Sequence, residues 1–155
     1  MKIVLITGVS SGIGLGLAQK FIAENYRVIG TVRTSSKGIE LQKVFGENFS
    51  PLIFDITNHR EIDNATKTLH KLTGNNKIHG LINNAGSTEI GPLLHIPIQD
   101  FQKQMDILVT GQLFVIQRFY KFLISRTPDE ENGKIINITS ISGVNPNYLF
   151  GCYTA

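Results

Sequence analysis

The residues best suited by type and spacing to do chemistry begin at Thr7. There Thr7-Gly8-Val9-Ser10-Ser11-Gly12-Ile13-Gly14 follows the apolar run Ile3–Ile6 and leads into a segment of helical period. Glycine permits a tight turn with positive φ, and without a Cβ it lets a pyrophosphate approach the backbone. The start of a helix adds free N–H groups and a partial positive charge aimed at the anion. Thr7, Gly8, Ser10, Ser11, Gly12, Ile13 and Gly14 are therefore expected to surround a dinucleotide pyrophosphate. The spacing is Gly-x-x-x-Gly-x-Gly, not the Gly-x-Gly-x-x-Gly of the common dinucleotide fingerprint, and no Gly-Lys-Ser/Thr follows as in a nucleotide triphosphate loop. Kinase-like phosphoryl transfer is thereby disfavoured. The bland alternative is a glycine-rich strand-to-helix turn.

Other reactive side chains are scattered. His59, His70, His79 and His95 fall on different elements without carboxylate or cysteine partners at ligand spacing, so no metal site is expected. Cys152 is the one cysteine; an intrachain disulfide is impossible, and a reducing, cytoplasmic setting is the simpler expectation. A lone buried thiol is usually inert, and Cys152 receives no role. The chain has 155 residues, 15 Lys+Arg against 12 Asp+Glu, 41% apolar and 17% charged residues, which suits one globular domain over residues 1–155. Its formal charge of +3 is spread without a basic run or stripe, so neither nucleic acid nor a membrane is expected as partner. The run Ile3–Ile6 is too brief for a signal-peptide core or a membrane span.

The elements that must position these residues alternate. Ile3–Ile6, Val28–Val32, Leu52–Phe54, Ile78–Ile82 and Ile135–Ile138 are strand candidates, and their near-continuous apolar character indicates a parallel sheet covered on both faces. Between them Ile13, Leu17 and Phe21 recur at helical spacing, as do Val109, Leu113, Ile116 and Tyr120 on a long helix from Met105 to Leu123; both stripes read as core. The expected class is α/β, an open doubly wound parallel sheet with five strands. Thr127–Gly133 reads as a polar turn, and Tyr148 to Ala155 as the approach to a further helix. The chain reads as cut short there, which would leave the outer edge and faces of the fifth strand uncovered.

With these elements in place, the sequence resembles the short-chain dehydrogenase/reductase family, whose first motif is Thr-Gly-x-x-x-Gly-x-Gly. Asp55 after the third strand, Asn83-Asn84-Ala85-Gly86 after the fourth, and Ser140 and Tyr153 keep the order and separation that the family uses. The resemblance covers essentially the whole chain and implies a Rossmann-type fold, with Asp55 at the adenine and the segment Asn83-Asn84-Ala85-Gly86 lining the cofactor pocket and bracing the central sheet. Taken alone, Asp55 would be a strand-end cap and Asn83-Asn84 a turn. Val32 stands where the family's NAD-selective acid is expected and Arg33 where its NADP-selective base is expected. An Arg would pair with the extra phosphate of NADP, so NADP(H) is expected over NAD(H). Ser11 occupies the place where many NADP-selective relatives carry a second basic residue.

The resemblance also implies the reaction. Hydride transfer to a carbonyl leaves negative charge on oxygen and requires a proton donor and a polar group to hold that oxygen. Tyr153 matches the family's acid/base and Ser140 its orienting serine, although taken singly Ser140 reads as a turn serine and Tyr153 as an amphipathic tyrosine at a helix start. The family's lysine, four residues after the tyrosine, would fall beyond Ala155. A tyrosine ordinarily keeps its proton to about pH 10, so without an activating charge its removal at pH 7 lacks roughly 4 kcal/mol. The family also places an asparagine three residues before a helical glycine; here Leu108 stands three before Gly111 and cannot join a hydrogen-bonded relay.

The function expected is therefore an NADP-dependent oxidoreductase acting on a small carbonyl/alcohol pair, possible as a homo-oligomer through the long helix. A non-catalytic nucleotide-binding or assembly protein is the alternative, supported by Leu108 and the lysine position. An extended-type epimerase or dehydratase ranks last, because its glycine spacing differs.

Overall fold

Alternation within the first strand explains the whole layering. In β1 (Ile3–Ile6) every residue is buried, yet Ile3 and Leu5 join one hydrophobic cluster while Val4 and Ile6 join another. Successive side chains of a strand point to opposite faces, so a strand apolar at every position needs a cover on both sides. One cluster unites the strands with α3 (His59–Thr73) and α5 (Gly111–Phe119) through Ile62, Leu69, Val115 and Phe119. The other unites them with α1 (Gly12–Ala23) and α2 (Ser35–Phe45) through Ala18 and Leu41.

This computed structural model describes residues 1–154; Ala155, the last residue of the expected domain and of the expected approach to a helix, lies outside the described residues. The sheet has five strands in the order β3-β2-β1-β4-β5, all neighbours parallel, as the doubly wound reading expects. Leu5 pairs with Ile29 on one side and Leu81 on the other. The remaining strands are β2 (Arg27–Val32), β3 (Phe49–Ile53), β4 (Gly80–Asn83) and β5 (Lys134–Asn137).

Several strand boundaries shift by a residue, and the starts of β3 and β4 shift by more, for physical reasons. β3 starts at Phe49 and not at Leu52, because Pro51, which has no N–H to give a ladder, is tolerated on an edge strand. Ile78 precedes β4: its amide bonds Phe122 O at 2.7 Å, outside the sheet.

The long helix requires a larger correction. It begins earlier, as α4 (Ile98–Met105), passes through a π-helical turn at Asp106–Thr110, continues as α5, and closes in a 3-10 turn at Tyr120–Phe122. The stripe Val109, Leu113, Ile116 and Tyr120 is not the core face: Val109, Leu113 and Tyr120 are 57%, 52% and 54% exposed. Gly111, Val115, Phe119 and Leu123, four residues apart, are the ones that bury. Contact with α3 and the sheet selects this set and not the stripe read from the sequence. Ile13 departs from its expected core stripe too; it is exposed, while Leu17 and Phe21 pack partly into the α1 side.

Among the described residues β5 is an edge strand, with Ile135 and Ile136 42% and 47% exposed. The 127–133 segment is a polar turn, with Glu130 3.0 Å from the Lys77 ammonium.

Candidate functional site

The helices that follow β1, β2 and β3 end differently at their N-termini. Thr34 accepts the Lys37 amide at the start of α2, and Asn58 accepts the Glu61 amide at the start of α3. At the start of α1, Ser11 makes no side-chain cap. The first-turn amides of α1 therefore keep their capacity to bind, at the end of the helix that carries the partial positive charge.

Those amides face a cleft of about 400 Å³ at the carboxyl ends of the strands, where the order reverses between β1 and β4. This reversal point is where ligands sit in open parallel sheets. Gly8, Ser10, Ser11, Ile13 and Gly14 form one wall, and Thr31, Val32 and Arg33 the end by β2. Asp55 with its neighbours Phe54 and Ile56, the loop Asn84–Ser87, and Ile107 complete it. Arg33 is exposed at the rim.

Tight packing beneath the cleft sets its shape. Thr7 is fully buried, and its hydroxyl oxygen accepts the amides of Asn84 and Ala85, each at 2.9 Å. The Asn84 amide group returns two bonds, to Thr7 O at 2.9 Å and Gly8 O at 3.0 Å. The Gly8 amide donates to Thr31 Oγ1 at 3.0 Å. Gly8 has φ +70°, and a Cβ there would lie 2.9 Å from Ala85 Cα. A Cβ on Gly14 would collide with the Gly8 carbonyl and the Asn84 amide. Three chain segments are thus bolted together directly under the loop.

A second cleft, of about 560 Å³, shares Ile13 and Asn84–Ser87 with the first and continues towards β5 and α5. Asn83, Asn137, Thr139, Leu108, Gln112 and Tyr153 line it. Asn83 is buried and donates to Asn137 Oδ1 at 2.8 Å, joining β4 to β5, and Gln112 donates to the Ala85 carbonyl. The turn that bears Tyr153 is folded on Phe150, whose carbonyl accepts the Tyr153 amide at 3.0 Å.

The structure gathers most of the residues singled out from sequence. Ser10, Ser11, Ile13, Gly14, Gly8, Arg33, Asp55, Ala85 and Gly86 line the first cleft, and Asn83 and Tyr153 the second. Thr7 and Gly12 do not line either: Thr7 lies below the loop, and Gly12, exposed with φ +57°, is its turning point. Ser140 also stands outside the lining, although its neighbour Thr139 is part of it. The Ser140 oxygen accepts the Ser142 amide at 3.1 Å. Asp55 Oδ1 accepts both the amide and the hydroxyl of Thr57.

Thr31 and Gln112 were not foreseen as site residues; a strand-end threonine and a glutamine on an amphipathic helix carry no sequence signal. Among the described residues no group of three or more His, Cys, Asp or Glu side chains converges as a metal-ligand set, and no helix is long and apolar enough to cross a membrane.

Comparison with known proteins agrees with this geometry. A family model described as short chain dehydrogenase matches residues 2–155. The chain is 32% identical, over all of its length, to an NADPH-dependent 3-dehydrocapnine reductase of Ornithobacterium rhinotracheale, of which it covers 55%. It is 35% identical over 96% of its length to a serine 3-dehydrogenase of Rhizobium radiobacter, covering 57% of that protein. Among solved structures, serine dehydrogenase from Escherichia coli superposes with a TM-score of 0.87 at 27% identity, covering 98% of this chain and 68% of the other. The chain thus spans a little over half the length of these curated relatives.

Proposed function

This chain belongs to the short-chain dehydrogenase family, and we propose that residues 1–155 are the dinucleotide-binding domain of an oxidoreductase that moves hydride between NADP(H) and a carbonyl/alcohol substrate. The observation that carries the reading is the uncapped first turn of α1 opening on a cleft with Arg33 at its rim. The residues present fit a dinucleotide. Small side chains at Gly8, Ser10, Ser11 and Gly14 leave the loop backbone open to a diphosphate, and Arg33 offers a guanidinium fork to a ribose phosphate. An acid in that place would favour NAD(H) instead; Val32 and Arg33 do not supply one. The reductase of Ornithobacterium, by its name NADPH-dependent, supports the same choice.

Nicotinamide, when bound, supplies or accepts the hydride. The chain's own residues handle the proton and the oxygen. Tyr153, on the wall shared with the Asn83–Gly86 loop, donates its phenolic proton to the carbonyl oxygen as that oxygen gains charge, and takes it back in the reverse direction. Ser140 orients the oxygen: its hydroxyl accepts from Ser142 but keeps its own proton to donate. Asp55 is assigned to the adenine side, and Thr7 and Asn83 hold the loops that the cofactor touches. Assembly as a homo-oligomer through the exposed face of α5, and a cytoplasmic setting suited to one unpaired cysteine, belong to the same proposal.

A second reading, a nucleotide-binding protein without catalysis, is favoured by Leu108, which lines the second cleft and offers no hydrogen bond where the family has asparagine. Titrating the protein with NADPH and NADH, then adding a panel of aldehydes and ketones, separates the two. NADPH should bind at least about tenfold more tightly than NADH, and Arg33→Ala should remove that preference. Sustained oxidation of NADPH rejects the non-catalytic reading, whereas absence of binding to either dinucleotide rejects both.

A further inference from the structure

Gln104 is a polar side chain on the face of α4 that turns inward, and it is 1% exposed. Such a group persists in a core when its hydrogen bonds are made. Here both ends of the amide bond one stretch of backbone: the amino group donates to the Ser87 carbonyl, and Oε1 accepts the Glu89 amide at 2.9 Å. Because residues two apart in an extended chain face the same way, the Gln104 amide acts as a one-residue strand partner for the loop after β4.

The same loop also packs against the segment that carries Tyr153. Cys152, fully buried, places Sγ 3.9 Å from the Glu89 carbonyl and 4.0 Å from Gln104 Oε1. The Gly91 amide donates to Leu149 O at 2.7 Å, and the Gly151 amide donates to Gly91 O at 3.1 Å. Close packing of Gly151 on Leu93 leaves no room for a side chain there. Gln104, the loop and the 149–153 turn are therefore in mutual contact, and Ser87, on that loop, lines both clefts.

We propose that Gln104 is a positioning residue for Tyr153, setting its turn against the active-site loop through Ser87, Glu89 and Cys152. The inference rests on the role assigned above to Tyr153, but its physical content is a coupling between two named segments. Gln104 touches neither cleft, so it acts through those neighbours.

Amide hydrogen exchange tests it without reference to catalysis. In Gln104→Met, of similar volume but without either bond, the Gly151 and Tyr153 amides should exchange roughly tenfold faster while the β1 and β2 ladder amides keep their rates. Gln104→Glu supplies a rescue that packing alone does not explain. With its carboxyl protonated it can donate to Ser87 O and accept from Glu89, so protection at residues 151 and 153 should return towards acidic pH after correction for intrinsic rates. At neutral pH the carboxylate lacks the donor, and protection should fall. Unchanged exchange at these amides in Gln104→Met overturns the proposal, as does equally faster exchange throughout the sheet. Should Gln104→Met not fold, a pH-independent Gln104→Glu overturns it instead. NADPH binding is measured on the same samples: its absence in the wild type rejects the proposed function and leaves the exchange result to decide the coupling.

Discussion

At the scale of single residues, His79 shows how a side chain far from the clefts constrains the sheet that builds them. His79 Nδ1 accepts the Ile3 amide at 3.2 Å, which requires an unprotonated nitrogen, at the start of β1. Burial first, then the Lys77 charge, pushes its pKa below the ordinary 6.5; Lys2 and the amino terminus act the same way, and Glu130 opposes them. The unfolded chain therefore takes up a proton at a higher pH than the folded one. Stability should be level above pH 6.5 and decline as pH falls through 6.5 towards the depressed value. Chemical denaturation across that range should show the decline in the wild type and lose most of it in His79→Asn, whose Oδ1 can still accept the Ile3 amide. The bond of His79 to a residue 76 positions away leaves no local sequence signal.

Among elements, the junction of the β1–α1 loop with the loop after β4 decides whether a cleft exists. Gly14 belongs to α1, but the space its missing side chain leaves is filled by the Gly8 carbonyl and the Asn84 amide. Gly14→Ala should lower stability by about 1–3 kcal/mol, the usual cost of overpacking. It should also weaken NADPH binding, because the clash is relieved only by moving the loop; denaturant melts and dinucleotide titration read the two effects. The glycine motif and its place between strand and helix were legible, since they depend on local backbone geometry. Thr7 as a buried hub was not, because a hydroxyl bonded to amides 77 and 78 residues away leaves no local pattern. The same limit explains the long helix. Leu113, Ile116 and Tyr120 recur at helical spacing just as Val115 and Phe119 do, so only the arrival of α3 and the sheet decides which set is buried.

At the scale of the whole chain, β5 stands at one end of the sheet order among the described residues. Ile135, Ile136 and Ile138 on β5 and its continuation are exposed, and Val109 and Leu113 on the neighbouring helix face are exposed too. An unpaired edge with apolar faces favours association with another chain. The protein should self-associate with rising concentration, and Ile136→Lys should weaken this in sedimentation velocity runs while changing stability by no more than about 0.5 kcal/mol. Unchanged sedimentation in that variant would show that the edge is not the surface responsible. The sequence by itself determined the alternation of strands and helices, the parallel two-sided sheet and the glycine turn between β1 and α1, because hydrophobic period and glycine placement are local properties. Tertiary structure alone decided that the α1 amides stay uncapped at the strand reversal, that Val115 and Phe119 are buried in place of Leu113 and Tyr120, and that Gln104 faces inward. Each of these outcomes depends on which distant segment arrives to pair with a polar group or cover an apolar one.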